Sequence, residues 1–412
     1  LKNSKNFITV IIYFFIIIIF LTTSNSKSFA RHQDQPEITS ETAVLMEMDS
    51  GKVLFDKDKH RKMHPASTTK IMTSLLLMEN CSLREIVEVS PKAYGTPGSS
   101  MYLGLDDKIS VRNLLYGIMV QSANDGAIAA AEHVSGSVEE FANKMNERAK
   151  ELGAINTSYK NPHGLTEKGH KTSAFDLAVI TREALQNPKF RKIAKTNNIT
   201  IPWPDKEEER MLVSRNQLLN NYEGAIGVKT GYTRAANRTF VAAAERDDMT
   251  LIAVLMSATG DVIFEDAKTL LDYGFDNYLN TKLMEKDDIL KEVSIINGAQ
   301  KSPLIVKEDV KLPISKSRTE VKQELELKKS IKAPIEQGKK AGTVKWIADG
   351  EELISTSVYF GEDINQAINT RWWFRASLGG IVLMVSYITI EKVKKKKSSK
   401  RQKERFKRKY RY

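Results

Sequence analysis

In "TAVLMEMDSGKVLFDKD", runs of alternating apolar and polar residues flank Asp49-Ser50-Gly51, and this period of two predicts a β-hairpin. From Ser67 to Gln186 the spacing lengthens to that of a helix. Residues 71–78, 111–120, 125–133, 138–152 and 174–185 each gather apolar side chains on one face. Alternation returns in "AIGVKTGYT", "RTFVAAAER" and "MTLIAVLMS", the last two joined by a tight Asp247-Asp248 turn. "VIFEDAKTLLDYGF" then reads as a closing helix. Strands at both ends with helices between them predict one α+β domain over residues 31–282, an antiparallel sheet with an all-helical insertion.

Beyond residue 283 short β runs take over: "VSIINGA", "VKLPI", "QELELKK" and "TVKWIADGEELISTSVYF", with Asp349-Gly350 as a hairpin turn. They predict a small β-rich domain over residues 283–362 and a linker over 363–371. Two other apolar stretches belong to neither unit. "FITVIIYFFIIIIFL" follows Lys2 and Lys5 and leads to Ser28-Phe29-Ala30, so residues 1–30 read as a secretory signal peptide, with an uncleaved anchor as the alternative. Residues 376–390 carry no charge, and Trp372, Trp373 and Phe374 extend them as an interfacial belt. Their span of about 22 Å falls short of the ~30 Å hydrocarbon core, which leaves an interfacial helix as the alternative. The lack of a charged face favours a membrane helix over 372–391.

Charge changes the picture at one end only. The chain carries 63 Lys+Arg against 51 Asp+Glu, a formal +12, but 13 of those cations lie between Glu391 and Tyr412 against 2 acids. Residues 31–390 are thus near neutral, which argues against nucleic acid as a partner. The basic tail, 392–412, reads as a cytoplasmic stop that attracts anionic membrane lipid. Cys81 is the only cysteine, so no intramolecular disulfide can form, and no role is assigned to it.

The candidate chemistry begins at "HPASTTK". Pro65 and Ser67 look like a helix start, yet Lys70 stands where a capping box would carry an acid. At this spacing Ser67 and Lys70 share one helical face. Lysine can deprotonate a serine only if desolvation or a second cation lowers its pKa, and a helix N-terminus adds to that push. "MVQSANDG" places Ser122 and Asn124 between two helices, with Asn124 or Asp125 as cap. Its hydroxyl could relay a proton, and its amide could hold a substrate carbonyl or orient Lys70. "GVKTGYT" puts Lys229 and Thr230 on a strand, a cation and a hydroxyl for an anionic end group, with Gly231 freeing the strand edge for an extended peptide. A P-loop is excluded because Lys229 follows Val228 rather than glycine.

In this order, the three motifs resemble those of the serine D-alanyl-D-alanine carboxypeptidases, the low-molecular-mass penicillin-binding proteins of peptidase family S11. The likeness runs from about Thr42 to Phe275 through "NPHGLTEKGHKTSAFDLAVITREAL" and "FEDAKTLLDYGF". It implies a beta-lactamase/DD-peptidase-like fold and an exported enzyme held on the outer face of a bacterial cytoplasmic membrane. Its substrates would be peptidoglycan stem peptides, its covalent inhibitors beta-lactams, and no cofactor is implied. By the resemblance Ser67 is the acylated nucleophile, Lys70 its base, and Ser122 a proton relay. Asn124, Lys229, Thr230, Gly231 and Tyr232 would bind substrate, with the N–H groups of Ser67 and Tyr232 as oxyanion donors. One position departs: Ile263 stands where many relatives place an Arg on the substrate carboxylate, and Arg234 or Arg238 would have to compensate.

Other readings remain on the same scaffold. A class A beta-lactamase would need S-D-N and a following E-x-x-L-N, and neither occurs. A DD-endopeptidase or transpeptidase is less firmly excluded. A metallopeptidase lacks its H-E-x-x-H; "NPHGL", with His163, reads instead as a turn lining the cleft. From another class, a catalytically inactive wall scaffold would have no reason to keep Lys70.

Overall fold

The computed structural model describes residues 35–203, 207–318, 320–328 and 330–409; the expected signal peptide lies outside them. The first hairpin is present as β1 (Thr42–Glu47) and β2 (Val53–Lys57). Helices α1 (Lys70–Asn80), α2 (Val111–Met119), α3 (Asn124–Ser135), α4 (Val138–Glu151) and α5 (Ala174–Gln186) follow the predicted runs to within two residues. Two small hairpins interrupt this region without a sequence expectation: β3 (Ile86–Glu88) with β4 (Lys108–Ser110), and β5 (Asn198–Pro202) with β6 (Glu209–Val213). A short helix, α6 (Pro188–Ala194), is also additional; Asn187 caps it and Pro188 occupies its first turn. After the one-turn α7 (Leu218–Asn221), the chain returns to the sheet as β7 (Ala225–Thr233), β8 (Asn237–Arg246) and β9 (Met249–Ala258), and α8 (Val262–Asn277) closes the unit.

The sheet is antiparallel with strand order β2-β1-β9-β8-β7. Strand side chains alternate between its faces, so β1 feeds two cores at once. Val44 and Met46 join the helical insertion, whereas Ala43 and Leu45 join Ile263, Phe264 and Leu270 of α8. Helices cover both faces, which is why β9 is buried along its whole length. Asp247 and Asp248 both adopt positive φ, the conformation that a two-residue hairpin turn requires. Two consequences bear on function. β7 lies at the edge of the sheet, and the helical insertion delivers its loops beside that edge.

α8 leads directly into β10 (Tyr278–Met284), which pairs with β13 (Val310–Ser315). β11 (Ile289–Ser294), β12 (Lys301–Ile305), β14 (Lys322–Leu327), β15 (Lys340–Ala348) and β16 (Glu351–Phe360) form a second sheet, ordered β11-β12-β16-β15-β14, over a core with Leu304, Val344, Trp346 and Phe360. Of "VSIINGA", only the first two residues are strand; Ile296 and Gly298 make isolated bridges. The chain ends in α9 (Trp372–Lys409), 38 residues long and, among the described residues, the one helix long and apolar enough to cross a membrane.

Candidate active site

A cleft of about 220 Å³ opens between β7 and the helical insertion, lined by Ser67, Ser122, Asn124, Thr230, Gly231 and Tyr232 among others. Lys70 and Lys229 are buried next to it. All eight residues singled out in the sequence thus converge on one place.

Ser67 does not cap a helix. It sits in a 3-10 turn, Ala66–Thr69, that precedes α1, and Lys70 is the first residue of the α-helix proper. Ala66 holds a left-handed backbone, φ 48°, immediately before Ser67. Such a conformation costs an alanine free energy and persists only where its surroundings enforce it. Here they do. The His170 ring accepts from the Lys160 N–H at Nδ1, which leaves the proton on Nε2 to donate to Thr69 Oγ1 at 2.9 Å. Thr69 in turn donates to the Ala66 carbonyl at 2.9 Å. Gly164, φ 90°, packs so closely over that carbonyl that a Cβ would lie 1.8 Å from the oxygen.

The Lys70 amine lies 3.2 Å from Ser67 Oγ, 2.6 Å from Asn124 Oδ1 and 2.8 Å from the His163 carbonyl. It has no exposed surface and no carboxylate partner. Burial first, and the neighbouring Lys229 second, hold its pKa well below the ordinary lysine value, while Asp125 opposes them weakly. The second cation anticipated from the sequence is therefore Lys229, whereas the helix end is not the leading cause. Lys229 itself is brought down to about 7, by burial and then by Arg215.

Asn124 is the first residue of α3 and is 3% exposed. Its Nδ2 donates to the Pro97 carbonyl at 2.7 Å, which fixes the amide with Oδ1 towards Lys70. Neither Asn124 nor Asp125 caps the helix as expected; Ala123 is the N-cap, and its methyl side chain makes no capping hydrogen bond. Asp125 instead reaches back to the N–H groups of Met101 and Leu103 and to the Ser100 hydroxyl, pinning the loop that forms the far wall of the cleft. Ser122, also at positive φ (62°), is presented from the turn between α2 and α3.

On the other wall, β7 brings Thr230, Gly231 and Tyr232 alongside Ser67. A Cβ on Gly231 would stand 2.8 Å from the Ser67 backbone nitrogen and 2.5 Å from Thr239 Oγ1. The glycine is thus required by the approach of the strand to the nucleophile's own turn rather than by its free edge. A bulge between Ala225 and Gly227 precedes Lys229, and Val228 there has φ 102°, an outlier for a β-branched residue. Ile263 is buried in the second core, and its neighbour Phe264 lines the cleft. Of the two arginines considered as substitutes, Arg238 lines the cleft, paired with Asp261 at 2.8 Å, whereas Arg234 is exposed outside it. Arg215 lines the cleft without any sequence expectation.

A family model described as D-alanyl-D-alanine carboxypeptidase, Peptidase S11, matches residues 29–260. This chain belongs to the D-alanyl-D-alanine carboxypeptidase family. The C-terminal domain of penicillin-binding protein 5 matches residues 278–366, covering the second sheet. Among curated relatives, D-alanyl-D-alanine carboxypeptidase DacF of Bacillus subtilis is 38% identical over 64% of this chain and 69% of its own length. DacC of Escherichia coli is 36% identical over 60% of this chain and 64% of its own, so the chain spans just under two thirds of that relative. The crystal structure of penicillin binding protein 5 from Haemophilus influenzae superposes with a TM-score of 0.73 at 31% identity, covering 81% of this chain and 99% of that one. The S11 assignment and this architecture agree with the expected fold class: a mixed peptidase domain, a β domain and a C-terminal apolar helix.

Proposed function

We propose that this S11 enzyme removes the terminal D-alanine from peptidoglycan pentapeptide stems through an acyl-enzyme on Ser67, and that beta-lactams acylate the same oxygen. The observation that carries the reading is the environment of Lys70. A neutral amine has two hydrogens and one lone pair. Asn124 Oδ1 and the His163 carbonyl take the hydrogens, so the lone pair is left for the Ser67 hydroxyl 3.2 Å away. Ser67 Oγ then attacks the penultimate D-alanine carbonyl as Lys70 accepts its proton. The N–H groups of Ser67 and Tyr232 receive the oxyanion. Ser122 passes a proton to the departing D-alanine nitrogen, and water attacks the ester to regenerate Ser67. Lys229, with Thr230, binds the terminal carboxylate, and Arg238 and Arg215 supply the positive field that Ile263 does not. The unpaired outer edge of β7 receives the peptide backbone.

We further propose that α9 anchors the enzyme from the outer face of the membrane, its Trp372 end interfacial and its basic end cytoplasmic, against anionic lipid. The catalytic reading is tested with fluorescent penicillin and by assaying D-alanine released from a pentapeptide. Wild type should be labelled and should release D-alanine, and Ser67→Ala should do neither. Equal labelling of the variant would overturn the nucleophile.

A further inference from the structure

α1 and α3 carry Lys70 and Asn124 at their N-terminal ends, where the two side chains meet at 2.6 Å. Their C-terminal ends meet as well, about 16 Å along α1 from Lys70. There Cys81 ends α1, Glu85 lies in the turn that follows, and His133 occupies the last turn of α3. One ligand atom from each, thiol, carboxylate and imidazole, lies within 4.8 Å of the other two. Glu85 Oε2 is 3.5 Å from His133 Nε2, and burial, with the neighbouring Glu85 carboxylate, pushes the Cys81 thiol's pKa up. Among the described residues no other group of three such donors comes so close.

Five features favour a cation at this point. The donor set of one sulfur, one nitrogen and one oxygen is of zinc type, and three protein ligands leave a fourth position for water. Bond lengths of about 2.0–2.3 Å place tetrahedral ligands about 3.5 Å apart, so only a small contraction is needed. Cys81 and His133 sit at the C-terminal ends of two helices, ends that carry partial negative charge. The thiol is half-buried against the core while Glu85 and His133 are open to solvent, which gives an ion a way in. Cys81 has no disulfide partner and no place in the active site.

We propose that Cys81, Glu85 and His133 form a zinc-type divalent metal site that ties the far ends of the two catalytic helices together. On binding, the thiol releases its proton to solvent and the thiolate, imidazole and carboxylate each donate one electron pair to the ion. No redox change occurs, and the ion takes no part in acyl transfer.

The test uses full-length protein in detergent, with Co²⁺ as the probe. Wild type should show a thiolate-to-cobalt charge-transfer band that saturates at one equivalent and is displaced by Zn²⁺. His133→Ala and Glu85→Gln should weaken the apparent affinity at least about tenfold, and Cys81→Ser should abolish the band. Saturating zinc should raise the unfolding midpoint of wild type by about 5 °C and leave that of Cys81→Ser unmoved. Penicillin labelling retained in every variant confirms that each is folded. No band in wild type, or His133→Ala binding as tightly as wild type, would overturn the site.

Discussion

Lys70 Nζ and Asn124 Oδ1 are 2.6 Å apart and both side chains are buried, and the amide is locked in that sense by its second bond to Pro97. An uncharged acceptor orders the amine while stabilising its protonated form far less than a carboxylate would.

Asn124→Asp should therefore cripple acylation while keeping the fold. The new carboxylate would raise the Lys70 pKa by direct charge pairing. Loss of the general base is worth about 10²–10⁴-fold, so penicillin acylation near neutral pH should fall by at least about 100-fold. Stopped-flow acylation against pH checks this. The acid limb should move upward, and an unshifted profile would refute the role given to Asn124.

The alkaline side of the profile belongs to Lys229, whose pKa in the empty cleft is about 7. Only its protonated form attracts a carboxylate, so kcat/KM for a D-Ala-D-Ala peptide should decline as pH rises through that value. The bound carboxylate raises the lysine's pKa in turn, so the decline in kcat should lie higher. Lys229→Arg should remove the alkaline limb from kcat/KM. Lys229→Ala should raise KM for peptides with a free terminal carboxylate and spare their amides.

Gly231→Ala tests the approach of β7 to the nucleophile. The new Cβ meets the Ser67 backbone nitrogen, which cannot swing aside as a long side chain would. A displacement near 1 Å at a reacting group costs about 100-fold. Acylation should fall by about that factor with only a small drop in thermal midpoint.

His163 and His170 are buried, and burial holds them down to about 3 and about 4. Unfolded, both take up protons near pH 6.5. Between 6.5 and 4 the unfolded chain binds more protons than the folded one, so stability is full above 6.5 and is lost as pH falls through this window. Each excess proton is worth about 1.4 kcal/mol per pH unit. Urea unfolding from pH 7 to 4 should show this slope, and His170→Gln should lessen it. If His170 also positions the Ser67 turn through Thr69, that variant should lower kcat for acylation more than it raises KM, and His170→Asn should not rescue it.

Most of the catalytic domain was legible because its elements are long and its two cores demand strict patterning. β7, β8 and β9 and the six longer helices fall where apolar spacing places them. β3 and β4 escaped notice because three residues each are too few to display a period. α6 carried a usable signal in Asn187-Pro188, but seven residues gave no face to read. The site followed the same division. Side chains with intrinsic chemistry, such as Ser67, Lys70 and Lys229, stand out in a sequence. The His163 carbonyl, 93 residues from Lys70, does not, because any residue has a carbonyl and only the fold decides which one arrives. Asp125 looked like a cap, and Arg215 carried no signal at all, for the same reason.

The two buried lysines have one more consequence. Lys229 lowers the tendency of Lys70 to hold a proton, Arg215 does the same to Lys229, and every proton that stays meets repulsion in a medium that screens poorly. An anion entering beside Lys229 relieves it, so a terminal carboxylate should act on the folded state as a stabilising counter-ion before any bond is broken. Heat resistance of the enzyme would then track the supply of its own substrate.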